Sequence, residues 1–330
     1  MEYRFLGRTG VRVSKLAMGT MSFGGEADEE TAAAMFGRCR EAGVNFFDCA
    51  DVYQGGRSEE ILGRLIAGCR DEVVVATKAY FPTAGDPNAR GSSRYHLVRA
   101  VEASLRRLAT DRIDLFFLHR HDDVTSLEET LRAVETLVQQ GKILYPAVSN
   151  FSAWQTMKAL GVAEVRGMQP VVAAQPMYNL AKRQAEVEIL PCALVEGLAV
   201  IPYSPLGGGL LTGKYGAGKR PAKGRLVDNL MYTTRYADAD NYVIADRFTA
   251  LAEERGVHPV SLAIAWVAAH PAVTAPLIGA RDVAQLEPGL AAADVEVDDE
   301  LYRAIAALSP TPPPATDRNE ETSEHNFGSR

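Results

Sequence analysis

The sequence predicts an α/β fold closed into a (β/α)8 TIM barrel, with an N-terminal β-hairpin cap and an irregular C-terminal tail. Three observations lead there. Eight short apolar runs are each separated from the next by helical sequence, which demands parallel pairing, because a helix is the usual crossover between parallel neighbours. No G-x-G-x-x-G follows an early strand, as an open doubly wound sheet would need to hold a dinucleotide; the glycine run Gly207 to Gly209 comes after the seventh strand instead. The length of 330 residues suits one such barrel, 1–308, followed by a tail, 309–330.

The elements follow in order. A hairpin opens the chain, with Tyr3 to Leu6 and Val11 to Ser14 joined at Gly7 to Gly10. Strands are expected near Leu16 to Met18, Asn45 to Phe47, Val73 to Thr77, Leu115 to Leu118, Leu144 to Val148, Val171 to Ala174, Ala199 to Ile201 and Thr274 to Ile278. Helical patterns lie at Glu29 to Ala42, Ser58 to Ala67, Tyr95 to Leu108, Ser126 to Gln140, Ser152 to Ala163, Gln184 to Glu196, Ala239 to Glu254, Val260 to His270 and Val283 to Ala292. Pro146 falls within the fifth strand and has no N–H for a ladder bond, so a bulge or local break is expected there. Tyr215 to Ala237 reads as a long polar loop, and the segment from Pro310, Pro-rich and then polar, as irregular.

Charge and composition narrow the partners. The 35 Lys+Arg against 42 Asp+Glu leave 35 − 42 = −7, without a basic stripe, which argues against nucleic acid or an anionic membrane. The amino terminus lacks the apolar core of a signal peptide, and the most apolar window, Val260 to Ala269, is about half of a membrane span. Cys39, Cys49, Cys69 and Cys192 form no C-x-x-C pair, so buried thiols in a reduced, cytoplasmic compartment are expected.

Chemistry in such a barrel sits at the carboxyl ends of the strands. The second strand ends in Asp48 with Tyr53 five residues on, the third in Lys78, the fourth in His119, the fifth in Ser149 and Asn150, and the sixth in Gln175. Taken singly, an Asp after a strand is often a helix cap, a Lys there is usually solvated and a His can be a satisfied core group. Together on adjacent strands they make a coherent set: a carboxylate to pair the lysine, the lysine beside a phenol, and an imidazole facing the same oxygen. A neighbouring cation lowers a tyrosine pKa from about 10 and makes the phenol a better general acid for a carbonyl oxygen.

The chain resembles the aldo-keto reductases along nearly its whole length, through FLGRTGVRVS, GVNFFDCADVY, GRSEEILG, ATK, ASLRRL, IDLFFLH, SNFSAWQ, QPMYNL, YSPLGGGLLTGKY and IGARDVAQLE. The resemblance implies a catalytic tetrad of Asp48, Tyr53, Lys78 and His119. Tyr53 would be the proton donor, Lys78 would depress its pKa, Asp48 would orient Lys78 and His119 would orient the substrate. The implied reaction is reduction of an aldehyde or ketone by hydride from nicotinamide C4. The implied cofactor is NADPH, with NADH left open by Asp282 and by Gly289, where the family usually has Asn. Gly279, Arg281 and Gln285 would hold the adenosine 2′-phosphate and adenine, at the start of a helix whose amino terminus attracts anions. Tyr203 would stack on the nicotinamide, and the backbone at Ser204, Leu206 and Gly208 would approach the pyrophosphate, with Lys214 and Arg225 adding phosphate contacts. Ser149, Asn150 and Gln175 would fix the carboxamide, and Thr20 and Met21 would lie beside the ribose and nicotinamide.

Phe23, Tyr80, Phe81, Arg120 and His121, on loops after the first, third and fourth strands, are candidates for a substrate pocket or for packed loop residues. Two other readings compete. An NADPH-binding regulatory subunit, as some family members are for ion channels, would bind cofactor with little turnover. A metal hydrolase could begin from His119-Arg120-His121, but His96, His258, His270 and His325 fall in helical patterns or the tail, so further ligands are lacking. A Schiff base on Lys78 is disfavoured because Asp48 and Tyr53 suit a charged lysine.

Overall fold

A computed structural model describes residues 1–323 of the chain; His325 and the end of the tail lie outside the described residues. Ten strands are present: β1 (Tyr3–Phe5), β2 (Arg12–Ser14), β3 (Ala17–Gly19), β4 (Phe46–Asp48), β5 (Val74–Ala79), β6 (Ile113–Leu118), β7 (Ile143–Ser149), β8 (Ala173–Gln175), β9 (Ala199–Val200) and β10 (Leu277–Ile278). β1 and β2 form the antiparallel hairpin, and β10-β3-β4-β5-β6-β7-β8-β9 form one parallel sheet. The sheet closes on itself: Val200 bridges Val273 in parallel, and the Leu277 N–H donates to the Pro202 carbonyl at 2.9 Å. The eight strands thus make the expected barrel.

Side-chain alternation along each strand separates two cores. The inward row is Ala17, Phe46, Ala76, Leu115, Phe117, Ala147, Ala173, Ala199, Ile201 and Ala275, closed from below by Leu6 and Val13 of the hairpin. Six of these ten are alanines, and the larger side chains are Phe46, Leu115, Phe117 and Ile201. The outward row, including Met18, Phe47, Val75, Phe116, Val148 and Ile278, packs beneath the helices.

The helices run close to the expected bounds, for reasons visible in their caps. Ser152 and Gln155 form a reciprocal capping box at the start of Ala153–Arg166, and Gly167 ends that helix in the left-handed conformation. Three expectations are revised. Pro146 causes no bulge: β6 and β7 keep one register from Ile113↔Ile143 to Leu118↔Val148. The Pro146 carbonyl accepts from Val172 at 2.9 Å, so its missing N–H faces the approach to β8, ahead of the first paired residue Ala173, where no ladder bond is lost. The stretch 215–237 is folded, with short helices at Arg225–Asp228 and Leu230–Arg235 packed through a cluster of Tyr215, Leu226, Tyr232, Tyr236 and Tyr242. A further helix, Asp299–Ala306, is capped by Asp298 and stacks Tyr302 on Trp266 with ring centroids 5.4 Å apart. Beyond Pro310 the described chain has no strand or α-helix, and one 3-10 turn at Asn319–Thr322. Among the described residues no helix is long and apolar enough to cross a membrane.

Candidate active site

The inward row explains how the site is built. Two residues past Phe46, Ala76, Phe117, Ala147, Ala173 and Ile201 stand Asp48, Lys78, His119, Ser149, Gln175 and Tyr203. The same alternation that packs the interior therefore aims each polar group at the upper mouth of the barrel.

At the centre, Lys78 is 0% exposed and Asp48 1% exposed, and the Lys78 ammonium donates to Asp48 Oδ1. It donates also to the Cys49 carbonyl at 2.6 Å and to the Tyr53 hydroxyl at 3.4 Å. Gln175 Nε2 holds the other carboxylate oxygen, Oδ2, at 2.9 Å. Burial pulls the Lys78 ammonium down, but Asp48 and the neighbouring phenol outweigh it and keep the pKa above the usual lysine range. Lys78 does pull the Tyr53 pKa down, as expected, but burial outweighs it. Burial pushes the phenol up to about 12, against the downward pull of Lys78, so Tyr53 keeps its proton through neutral and mildly alkaline pH.

His119 faces the same region, its ring 6.2 Å from that of Tyr53 and 4.9 Å from that of Phe81. Burial, and then Lys78, lowers its pKa to about 3, so the imidazole is neutral, and its Nδ1 is buried without a partner. β6 ends at Leu118, and His121 turns away to Asp123 (3.1 Å) and to the rings of Phe151 and Trp154 (5.2 and 5.9 Å). Among the described residues no group of three or more His, Cys, Asp or Glu is arranged to hold a metal.

Around this centre, the Tyr203 hydroxyl donates to Asn150 Oδ1 at 2.8 Å, and Asn150 Nδ2 donates to the His119 carbonyl at 2.9 Å. Ser149 Oγ donates to the Gln175 carbonyl at 3.1 Å. Asn150 and Ser204 both have positive φ, 55° and 57°, which turns the chain sharply at the mouth. Thr20 is fully buried, donates from Oγ1 to the Asp48 carbonyl at 3.1 Å and is held by Ser58 Oγ, while Met21 beside it is exposed. Sequence reasoning passed over Ser58; its place at the second position of the helix Arg57–Ile66, just after Gly55-Gly56, was the available signal.

Three site expectations change. Phe23 is fully buried in the outer core with Met35, Phe36 and Phe47, so it lines no pocket; Tyr80 and Phe81 pack edge to face at the mouth. Gly208, with φ 69°, needs to be glycine because a Cβ would meet the Tyr232 ring at 2.6 Å; the tyrosine cluster rests on that turn. The helix Val283–Leu290 already has an anion at its start: Asp282 accepts from Gln285 N at 2.8 Å, and Gln285 Oε1 accepts from Arg281 N at 2.9 Å. Gly279 follows β10, and a Cβ added there would meet only the Gly19 carbonyl, at 3.9 Å.

Side-chain cations are gathered instead. Lys214 lies near Arg281 and Arg225, and burial together with those two charges lowers its pKa. Glu26 ties both arginines, with contacts of 3.6 Å to Arg225 and 3.6 Å to Arg281. Three cations gathered beside the glycine turn at Gly209 are suited to the phosphates of a dinucleotide.

Known proteins of similar sequence place the chain in a family. A family model described as the Aldo/keto reductase family matches residues 15–310. An uncharacterised oxidoreductase of Bacillus subtilis is 40% identical over 328 residues, 94% of this chain and 97% of that protein. A probable voltage-gated potassium channel subunit beta of Oryza sativa is 38% identical, over 92% of this chain and 97% of its own. A norsolorinic acid reductase of Emericella nidulans is 35% identical, over 89% and 78%.

Proposed function

We propose, on the premise that this chain belongs to the aldo/keto reductase family and is an NAD(P)H-dependent oxidoreductase, that it reduces an aldehyde or ketone to the alcohol with Tyr53 as proton donor and NADPH as the preferred cofactor. The observation that carries this reading is the contact of the buried Lys78 ammonium with both Asp48 and the Tyr53 hydroxyl. When bound, the nicotinamide supplies the hydride for the carbonyl carbon.

The chain's residues do the rest. The Tyr53 O–H donates its proton to the developing alkoxide, and the Lys78 ammonium, held charged by Asp48, stabilises the phenolate left behind. His119, neutral, offers an N–H that orients the carbonyl oxygen toward Tyr53 without bringing a second charge next to Lys78. Asn150, Gln175, Ser149 and the Tyr203 ring would seat the nicotinamide, with Thr20, Met21, Ser204, Leu206 and Gly208 along its path. Lys214, Arg225 and Arg281 would hold the phosphates, with Gly279 and Gln285 beside the adenosine. Tyr80 and Phe81 give the substrate side an aromatic wall beside His119, which suits an aromatic carbonyl.

Steady-state oxidation of NADPH and NADH with aromatic aldehydes, quinones, aliphatic aldehydes and keto sugars tests this. Turnover, fastest with NADPH and an aromatic carbonyl, is expected. Tight dinucleotide binding with no turnover on any carbonyl would overturn the reductase reading in favour of a cofactor-binding regulatory subunit in a cytoplasmic complex.

A further inference from the structure

Glu26 has no place in the chemistry above, yet it sits at the junction of three loops. It lies on the loop after β3, while Arg225 lies between β9 and β10 and Arg281 follows β10; its two carboxylate oxygens contact one arginine each. The loop that carries it is anchored. Ser22 Oγ donates to the Ala280 carbonyl at 2.7 Å, Gly24 N to the Ala27 carbonyl at 2.7 Å and Ala27 N to the Ser22 carbonyl at 3.0 Å, with Phe23 and Ala27 buried beneath. Glu26 itself is exposed, so its carboxylate stands at a fixed point facing solvent and the arginines. The other carboxylate near Arg281, Asp282, is spent on capping its helix.

We infer that Glu26 sets the cofactor selectivity of this site, competing with a ribose 2′-phosphate for Arg281 and Arg225 and accepting a hydrogen bond from a free ribose 2′-hydroxyl. A carboxylate at the adenosine ribose favours the hydroxyl form, and an arginine favours the phosphate form. Here both are present and paired with each other, so the 2′-phosphate must displace Glu26 to reach its cations. NADPH preference is thereby held below what Lys214, Arg225 and Arg281 alone would give. The inference rests on the proposed dinucleotide site.

The test is calorimetric titration of the full chain with NADPH and NADH, and with 2′,5′-ADP and 5′-AMP, which probe the adenosine end without hydride chemistry. Glu26→Gln is expected to tighten NADPH and 2′,5′-ADP about fivefold, the effect of removing one exposed like charge, and to leave NADH and 5′-AMP within about twofold or weaker. Glu26→Ala should shift the ratio in the same direction, and both variants should keep the wild-type melting temperature, since the side chain is 47% exposed. An unchanged ratio, or looser NADPH binding in Glu26→Gln, would overturn the assignment to Glu26 alone. Failure of the wild-type protein to bind either dinucleotide would instead overturn the cofactor reading and this inference with it.

Discussion

Replacing Lys78 by methionine keeps the side-chain volume and removes the charge from the centre of the barrel. Asp48, 1% exposed, is then left with Gln175 Nε2 at 2.9 Å as its side-chain donor. Breaking a buried pair from one side costs about 3–5 kcal/mol, because the remaining charge stays out of water. Asp48→Asn breaks it from the other side, leaving the ammonium with the Cys49 carbonyl at 2.6 Å and the Tyr53 hydroxyl at 3.4 Å, at a similar cost. In the double variant neither charge is left behind, so its cost falls well short of the sum, with a coupling of about 3 kcal/mol. Urea unfolding at neutral pH measures all four proteins, with the midpoint read at constant slope. Costs that add to within about 0.5 kcal/mol would refute the pairing.

Two further outcomes follow from the same geometry. His119 has its pKa lowered from 6.5 to about 3 on folding, so the unfolded chain binds the extra proton first and stability falls as pH drops through that window. The loss amounts to about 4–5 kcal/mol across the whole window, and unfolding of His119→Asn between pH 6.5 and 3 should lack that slope; an identical slope would contradict the assignment. Gly208→Ala places a Cβ 2.6 Å from the Tyr232 ring at φ 69°, so it should cost about 2 kcal/mol and weaken dinucleotide binding by moving the segment that carries Arg225. Wild-type stability and affinity in that variant would show the turn to be unsupported by the tyrosine cluster.

Much of the site was legible because alternation in a strand is strict. Once Phe46, Ala76, Phe117, Ala147 and Ala173 are placed inside, Asp48, Lys78, His119, Ser149 and Gln175 must follow them on the same face. What escaped depends on contacts between segments far apart in sequence. The tyrosines of 215–237 look like scattered polar-loop residues until Gly208 and Tyr242 meet them, and Phe23 looks like a pocket residue until the outer core closes over it. Pro146 shows the limit of a local rule, since its harmlessness depends on where β8 begins. The Tyr53 pKa is likewise a balance of burial against one cation, and sequence supplies only the cation.

The central claim is that the Tyr53 hydroxyl delivers the proton. Stopped-flow single turnover of NADPH-loaded protein with an active aromatic carbonyl tests it most directly, comparing wild type with Tyr53→Phe. The account predicts that the variant binds NADPH as tightly as wild type and loses about 10²–10⁴-fold in the rate of nicotinamide oxidation, the usual worth of a positioned general acid. A variant that oxidises NADPH within a few-fold of the wild-type rate would contradict it.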